Sequence, residues 1–215
     1  MARRTKEDAQ ATRTALLDAA ERVFQQRGVS RTSLNEIAQA AGVTRGGLYW
    51  HFKDKAALFN AMMERVTLPL ETALTGVAED CTDLCDPVAA LRAGLMHALR
   101  QIARDPQTRR VLQIATMMVE HTEELGPVRD RHLQSQRDSV RRLHAALECA
   151  ARLENVALPA PVEHLANGMH ATMHGLVYNW LLEPSFDLEA TGLTTLNVFL
   201  RGIGLTPTIS TSNKG

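Results

Sequence analysis

The sequence predicts an all-α protein, and three observations predict it. Apolar residues recur at helical spacing along most of the chain. No stretch alternates apolar and polar residues with the period of a strand. The runs are separated by capping residues and prolines, as at Asp86-Pro87 and Asp105-Pro106, where a helix can start. The 215 residues are enough for a sizeable core, and 45% apolar with 22% charged content is ordinary for a globular protein. No run approaches the ~18 apolar residues of a membrane-spanning helix, and the opening MARRTKEDAQATR lacks the apolar centre of a secretory signal. Cys81, Cys85 and Cys149 are an odd number, which argues against a disulfide framework and for a cytoplasmic setting.

Taken in order, residues 1–6 form a basic arm with Arg3, Arg4 and Lys6, read as loose: either a solvated terminus or a segment lying along DNA. A first helix runs from about Glu7 to Gln26 on the apolar stripe Ala9, Leu16, Ala20, Val23 and Phe24, and Gly28 ends it. Ser33 and Glu36 have capping-box spacing, so a short helix begins near Leu34. Gly42 closes that helix, Val43 fills the gap behind the turn, and Thr44 caps a second short helix carrying Arg45, Leu48, Tyr49 and His51. Asp54 caps a long helix through Leu58, Phe59, Met62, Met63 and Val66 toward Asp80, which Pro69 is expected to kink or divide. Further helices follow from Pro87, from Pro106, over about 128–153, over about 162–183 up to Pro184, and over about 188–203. The division expected is a DNA-binding region 1–53, a ligand-binding and dimerisation region 54–204, and a disordered tail 205–215.

Two short helices around a glycine turn make a helix-turn-helix, whose second helix lies in the DNA major groove. The composition of that second helix sharpens the reading. Gly46 and Gly47 each cost about 1 kcal/mol of helix stability against alanine, but they leave the backbone bare for close approach. Arg45, Tyr49, Trp50, His51, Lys53 and Lys55 crowd basic and aromatic groups beside them. Net charge is zero, yet residues 1–66 hold 11 Lys/Arg against 7 Asp/Glu and residues 67–215 hold 13 against 17, a basic head on an acidic body.

The stretch TSLNEIAQAAGVTRGGLYWHFKDKAAL resembles the DNA-binding signature of TetR-type repressors, and MARRTKEDAQATR with GVTRGGLYWHFKDK resembles the subgroup that represses multidrug efflux pumps. The resemblance is dense over about the first 66 residues; beyond them it rests on length, helix order and the phrase GLVYNWLLEP. It implies a homodimeric repressor on a pseudo-palindromic operator, released by a small hydrophobic or aromatic inducer, with no cofactor and no membrane partner. The implied DNA-binding set is Thr32, Ser33, Thr44, Arg45, Gly46, Gly47, Tyr49, Trp50, His51, Lys53 and Lys55, with Lys55 on phosphate. Arg45 is the candidate for base readout, since arginine can bond guanine O6 and N7 together.

The helix over 162–183 is apolar around most of its girth, with Leu165, Met169, Leu176 and Trp180 on one face and Ala166, Met173, Val177 and Leu181 on another, so it needs cover on more than one side. It is expected to pair, with the helix over 128–153, against the same helices of a second copy. His170, His174 and Tyr178 form a polar stripe on it, open to three readings: a core or interface stripe, a pocket wall, or a metal site by i, i+4 spacing. The resemblance favours the pocket, with Val66, Leu91, Leu95, Ala98, Leu99, Thr116 and Leu143 as further wall residues, while Met63 and Thr67 replace an aromatic and an acidic pocket residue of a relative in that subgroup. Cys81 and Cys85 have no nearby residues to complete a zinc set. No phosphate loop or G-x-S-x-G appears, so an enzyme is not expected. The alternative is a metal- or redox-sensing regulator of the same fold using His170, His174 or the cysteines; a helical enzyme or binding module is the third class.

Overall fold

The computed structural model describes residues 2–79, 86–120 and 122–206. Among these, nine α-helices and no strand are present: α1 Ala2–Arg27, α2 Leu34–Ala40, α3 Arg45–His51, α4 Lys55–Glu79, α5 Pro87–Arg104, α6 Pro106–Met117, α7 Gly126–Leu153, α8 Val162–Leu182 and α9 Leu188–Gly202. A single 3-10 turn, Glu123–Leu125, precedes α7. Side-chain caps set several of the starts. Asp86 accepts from the Ala89 N–H at 2.7 Å ahead of α5, and Asp187 from the Ala190 N–H at 3.0 Å ahead of α9.

The chain folds as two compact units. The first joins Met1–Leu68 to Pro106–Gln134, and the second joins Pro69–Asp105 to Ser135–Gly215. Unit 1 therefore holds α1, α2, α3, the start of α4, α6, the 3-10 turn and the start of α7. Its core is Leu16, Phe24, Ile37, Leu48, Phe59 and Met62, completed by Val111, Ile114, Leu125 and Val128 from the second piece of chain. The rings of Phe24 and Phe59 lie 6.1 Å apart in a tilted pair. At the edge of this core Glu21 is buried. It accepts from Gln107 Nε2 at 2.8 Å and faces Arg65 and Arg110 at 3.5 and 3.7 Å. Burial raises its carboxyl above the ordinary range, and the Gln107 hydrogen bond and the two arginines only partly offset this.

Within unit 2, α5 packs on α9 and α9 on α8. Gly192 of α9 permits the first contact, because a Cβ there would stand 2.2 Å from Leu99 Cδ1. Arg100 and Arg104 of α5 both reach Glu189 of α9, at 3.3 and 2.6 Å. The inner face of α7 buries Leu143, Ala146, Leu147 and Ala150.

Three expectations are corrected. Residues 2–6 are not a loose arm, since α1 begins at Ala2. Pro69 does not divide α4, which is continuous to Glu79; a proline removes one N–H, and the remaining ladder carries the helix past it. Cys149, buried in α7, is disulfide-bonded, although the odd cysteine count argues against a disulfide framework. Cys81, Cys85 and the tail from residue 207 lie outside the described residues.

Candidate nucleic-acid interface

The helix-turn-helix is built by local chemistry. Ser33 Oγ accepts from the Glu36 N–H at 3.3 Å, and the Glu36 carboxylate accepts from the Ser33 N–H at 2.8 Å, so the capping box is closed in both directions. Those bonds from Ser33, and then Arg27 beside it, hold the Glu36 carboxyl below the ordinary range. Gly42 has φ +67°, the left-handed conformation that turns the chain out of α2. The Val43 N–H then donates back to the Ala38 carbonyl at 2.9 Å. Thr44 Oγ1 accepts from the Gly47 N–H at 3.1 Å and starts α3. Leu48 is the buried anchor of that seven-residue helix.

The remaining side chains of α3 are free to face outward. Arg45, Tyr49 and Lys53 are exposed, and Trp50 is 73% exposed. The Arg45 guanidinium lies over the Tyr49 ring, 5.5 Å from its centroid, which splints a long flexible side chain against a stiff one. The Trp50 and His51 rings meet edge to face at 4.6 Å. Burial, and then the charge of Arg13, lower the pKa of His51, which favours the neutral ring. Arg13 itself lies over the Phe52 ring at 5.3 Å. The result is an exposed strip with cations, aromatic faces and bare backbone along α3 and just past its end, which can meet a polyanion with shaped edges.

The two glycines of α3 differ. A Cβ on Gly46 would meet nothing within 4 Å, so its bareness faces open space. A Cβ on Gly47 would stand 2.8 Å from Val43 Cγ1 and 3.3 Å from Thr44 Oγ1, so this glycine serves the internal packing of the turn.

Two members of the expected DNA set are not on the surface. Thr32 is buried, and its hydroxyl donates to the Gly28 carbonyl at 2.7 Å. Lys55 is only 6% exposed; its Nζ donates to the carbonyls of Ser30 and Thr32 and pairs with Glu124. Sequence reasoning missed this because an ammonium after a recognition helix reads as a phosphate ligand, whereas its partners are backbone carbonyls and a distant carboxylate. Ser33, though exposed, spends its hydroxyl on Glu36.

The expected ligand residues fall into separate groups. Leu91, Leu95, Leu99 and Leu143 are buried in unit 2, and Ala98 is half-buried there. Val66, buried, and Thr116, exposed, belong to unit 1. His174 and Tyr178, expected on a pocket wall, are exposed on the outside of α8; His170 is half-buried, its ring stacked 5.9 Å from that of His174. An open groove at the corner between α7 and α8, lined by Glu148, Arg152, Asn155 and Val162 among others, includes none of the expected wall residues. Among the described residues, no group of three or more His, Cys, Asp or Glu is placed to hold a metal.

Residues 16–62 match the family described as bacterial regulatory proteins, tetR family, and residues 86–203 match the C-terminal region of MAATS-type transcriptional repressors. The chain is 34% identical over 217 residues to the helix-turn-helix transcriptional regulator AcrR of Shigella flexneri, covering 97% of each chain. The chain belongs to the TetR family. The family consists of transcriptional regulators, not enzymes. Among solved structures, this TetR-family chain is similar to native NalD, the secondary repressor of the MexAB-OprM multidrug efflux pump in Pseudomonas aeruginosa, with a TM-score of 0.81 at 34% identity, over 91% of this chain and 98% of that one. It is also similar to SmeT of Stenotrophomonas maltophilia in complex with triclosan, with a TM-score of 0.80 at 33% identity, over 89% and 91% of the two chains. No helix of the described residues is long and apolar enough to cross a membrane.

Proposed function

We propose that this TetR-family regulator is a cytoplasmic homodimeric repressor of a multidrug efflux operon, released from its operator by small hydrophobic or aromatic ligands. The observation that carries the reading is the exposed strip of α3. Arg45, splinted on Tyr49, reads a base edge; Thr44 and the open backbone at Gly46 allow close approach; Trp50, His51 and Lys53 complete the contact with the duplex. Two copies put two such helices into successive major grooves about 34–36 Å apart. NalD and SmeT, both efflux-pump repressors of similar fold, support the target, and the triclosan complex of SmeT supports the ligand class. The buried leucines of unit 2 are the apolar part of the ligand chamber, and a ligand that prefers another spacing of the two heads shifts the population off DNA.

The exposed faces of α8 and α9 support the dimer. Ala171, Tyr178 and Leu182 of α8 and Thr194 and Val198 of α9 are exposed and uncharged, the composition expected where a second copy docks. The outer face of α7, with Arg129, Asp130, Arg137, Arg141 and Glu148, is charged, so α9 fits the role of second interface helix better than α7.

A mobility-shift assay with the DNA flanking the chain's own gene tests the reading: a retarded band that survives scrambled competitor and disappears with triclosan is expected. Indifference to every promoter fragment at low salt defeats it. The disulfide at Cys149 favours a second reading, a thiol-based sensor of the same fold. In that case DNA binding of the wild type, but not of Cys149→Ser, switches between dithiothreitol and hydrogen peroxide.

A further inference from the structure

Burying a guanidinium nitrogen without an acceptor is costly, so each such case asks for a reason. Among the described residues three arginine nitrogens are buried with no hydrogen bond: Nη1 of Arg65, Nε of Arg110 and Nη1 of Arg142. The first two have carboxylates beside them. Arg65 lies 2.8 Å from Asp18 and 3.5 Å from Glu21, and Arg110 lies 3.7 Å from Glu21. Arg142 has no such neighbour among the described residues. Asp138, one turn back along the same side of α7, is held by Arg141.

Arg142 sits at the margin of the buried face of α7. Leu143 beside it, Ala146 one turn on and Cys149 two turns on are all buried. Its own side chain is half-buried, with Nη1 closed to water. An arginine that serves only the surface buries its stem and keeps its head wet; at Nη1 this one does the reverse. It cannot escape by giving up its proton, so a charged donor stays turned inward. The setting is apolar, for unit 2 also buries Leu91, Leu95 and Leu99.

We propose that Arg142 is the anion-recognising group of the ligand chamber in unit 2, and that the inducer it selects is an aromatic acid whose carboxylate or phenolate oxygen accepts from Nη1. This rests on the ligand-responsive reading above and narrows it, from small hydrophobic molecules in general to those carrying a negative charge on an apolar body. An anion turns a costly donor into a charge-assisted hydrogen bond in a dry setting. An uncharged ligand of the same shape gains the apolar contact only.

Para-chlorobenzoate and para-chlorobenzamide share one ring and differ in charge, so they separate charge recognition from fit. Titration calorimetry on the full chain should show the acid binding about ten- to hundredfold tighter than the amide, the worth of a hydrogen bond to a charged group. Arg142→Met should bring the two to the same affinity. Arg142→Lys should keep part of the preference, since it keeps the charge and loses the planar fork. Equal affinity of the wild type for acid and amide, or a preference that survives Arg142→Met, overturns the proposal. Stability gives a second readout, free of ligand. With the unpaired donor gone, Arg142→Met should melt above the wild type. A lower melting temperature, or failure to fold, makes Arg142 a structural residue and overturns the proposal as well. Triclosan keeps this test apart from the broader reading. If triclosan binds and neither benzoic derivative does, the charge assignment falls and the ligand-responsive regulator stands. If none of the three binds, the ligand-responsive reading itself falls, and Arg142 has no chamber to serve.

Discussion

The outer face of α3 and the shared outer face of α8 and α9 both present side chains that a folded chain would normally bury, but they do so in different company. On α3, Trp50 and Tyr49 stand with Arg45, and Lys53 follows just past its end. On α8 and α9, Tyr178, Leu182 and Val198 stand with Ala171, His174 and Thr194, and the exposed arginine of that face is Arg201 in the last turn of α9. Exposed apolar groups that carry positive charge suit a polyanion, whose binding weakens with salt. Exposed apolar groups without charge suit another protein surface, whose binding does not. The comparison teaches that exposure alone marks a contact and its neighbours say with what.

The most disruptive way to break the comparison is a charge on the neutral face. Val198→Glu, at a position 67% exposed in the single chain, should cost the dimer several kcal/mol, as placing an unpaired carboxylate in an apolar contact does; sedimentation velocity at micromolar concentration should then show monomer. Trp50→Glu should leave the sedimentation unchanged and abolish DNA binding. If Val198→Glu stays dimeric, the neutral face is not the contact between copies.

A smaller effect sharpens the charged side. Arg45→Ala should lose about 1–3 kcal/mol for the bidentate contact and relax preference at one base position, read by competition between point-substituted duplexes. Equal losses on operator and random DNA contradict the assignment to base readout.

The paired glycines give a subtler test. Gly47→Ala should destabilise the fold by about 1–3 kcal/mol, because its Cβ meets Val43. Gly46→Ala should stabilise it by up to about 1 kcal/mol, since alanine is the better helix former and the space is open, yet weaken operator binding. Denaturant melts and anisotropy titrations on the same two variants separate the packing glycine from the one that faces DNA.

The smallest effect is one of pH. The Glu36 carboxyl is held below its ordinary value of 4.5 by the bonds from Ser33 and by Arg27. A depressed folded value means that its contribution is present above the ordinary value and is lost as pH falls through the depressed one. Glu36→Gln keeps an acceptor at the cap but no charge, so its stability should differ from wild type at pH 7 and converge with it on acidification, followed by urea melts across that range. A difference that persists in acid removes the carboxylate from the cap's account.

What the sequence made legible follows from the range of the interactions. Helix starts rest on contacts three residues long, so Ser33, Thr44, Asp54 and Asp86 announced them, and the turn at Gly42 was readable for the same reason. Lys55 was not readable, because Glu124 lies 69 residues away and the other two acceptors are carbonyls without a side-chain signature. Composition alone could not show that the stripe of His174 and Tyr178 faces outward. A helix apolar around its girth says that two faces want cover, but not which one the chain itself supplies. Nothing in the pattern of residues 106–134 says that they complete the core around Phe24 and Phe59; that is decided by packing at long range.

That shared core bears on how such a protein can be taken apart. The first 68 residues look like a portable cassette, yet without Val111, Ile114, Leu125 and Val128 they would open a hole beside their own aromatic pair. Anyone grafting this DNA reader onto a foreign sensor has to carry the second segment along, and a recombination event that swapped only the leading exon-sized block would inherit an unfinished interior.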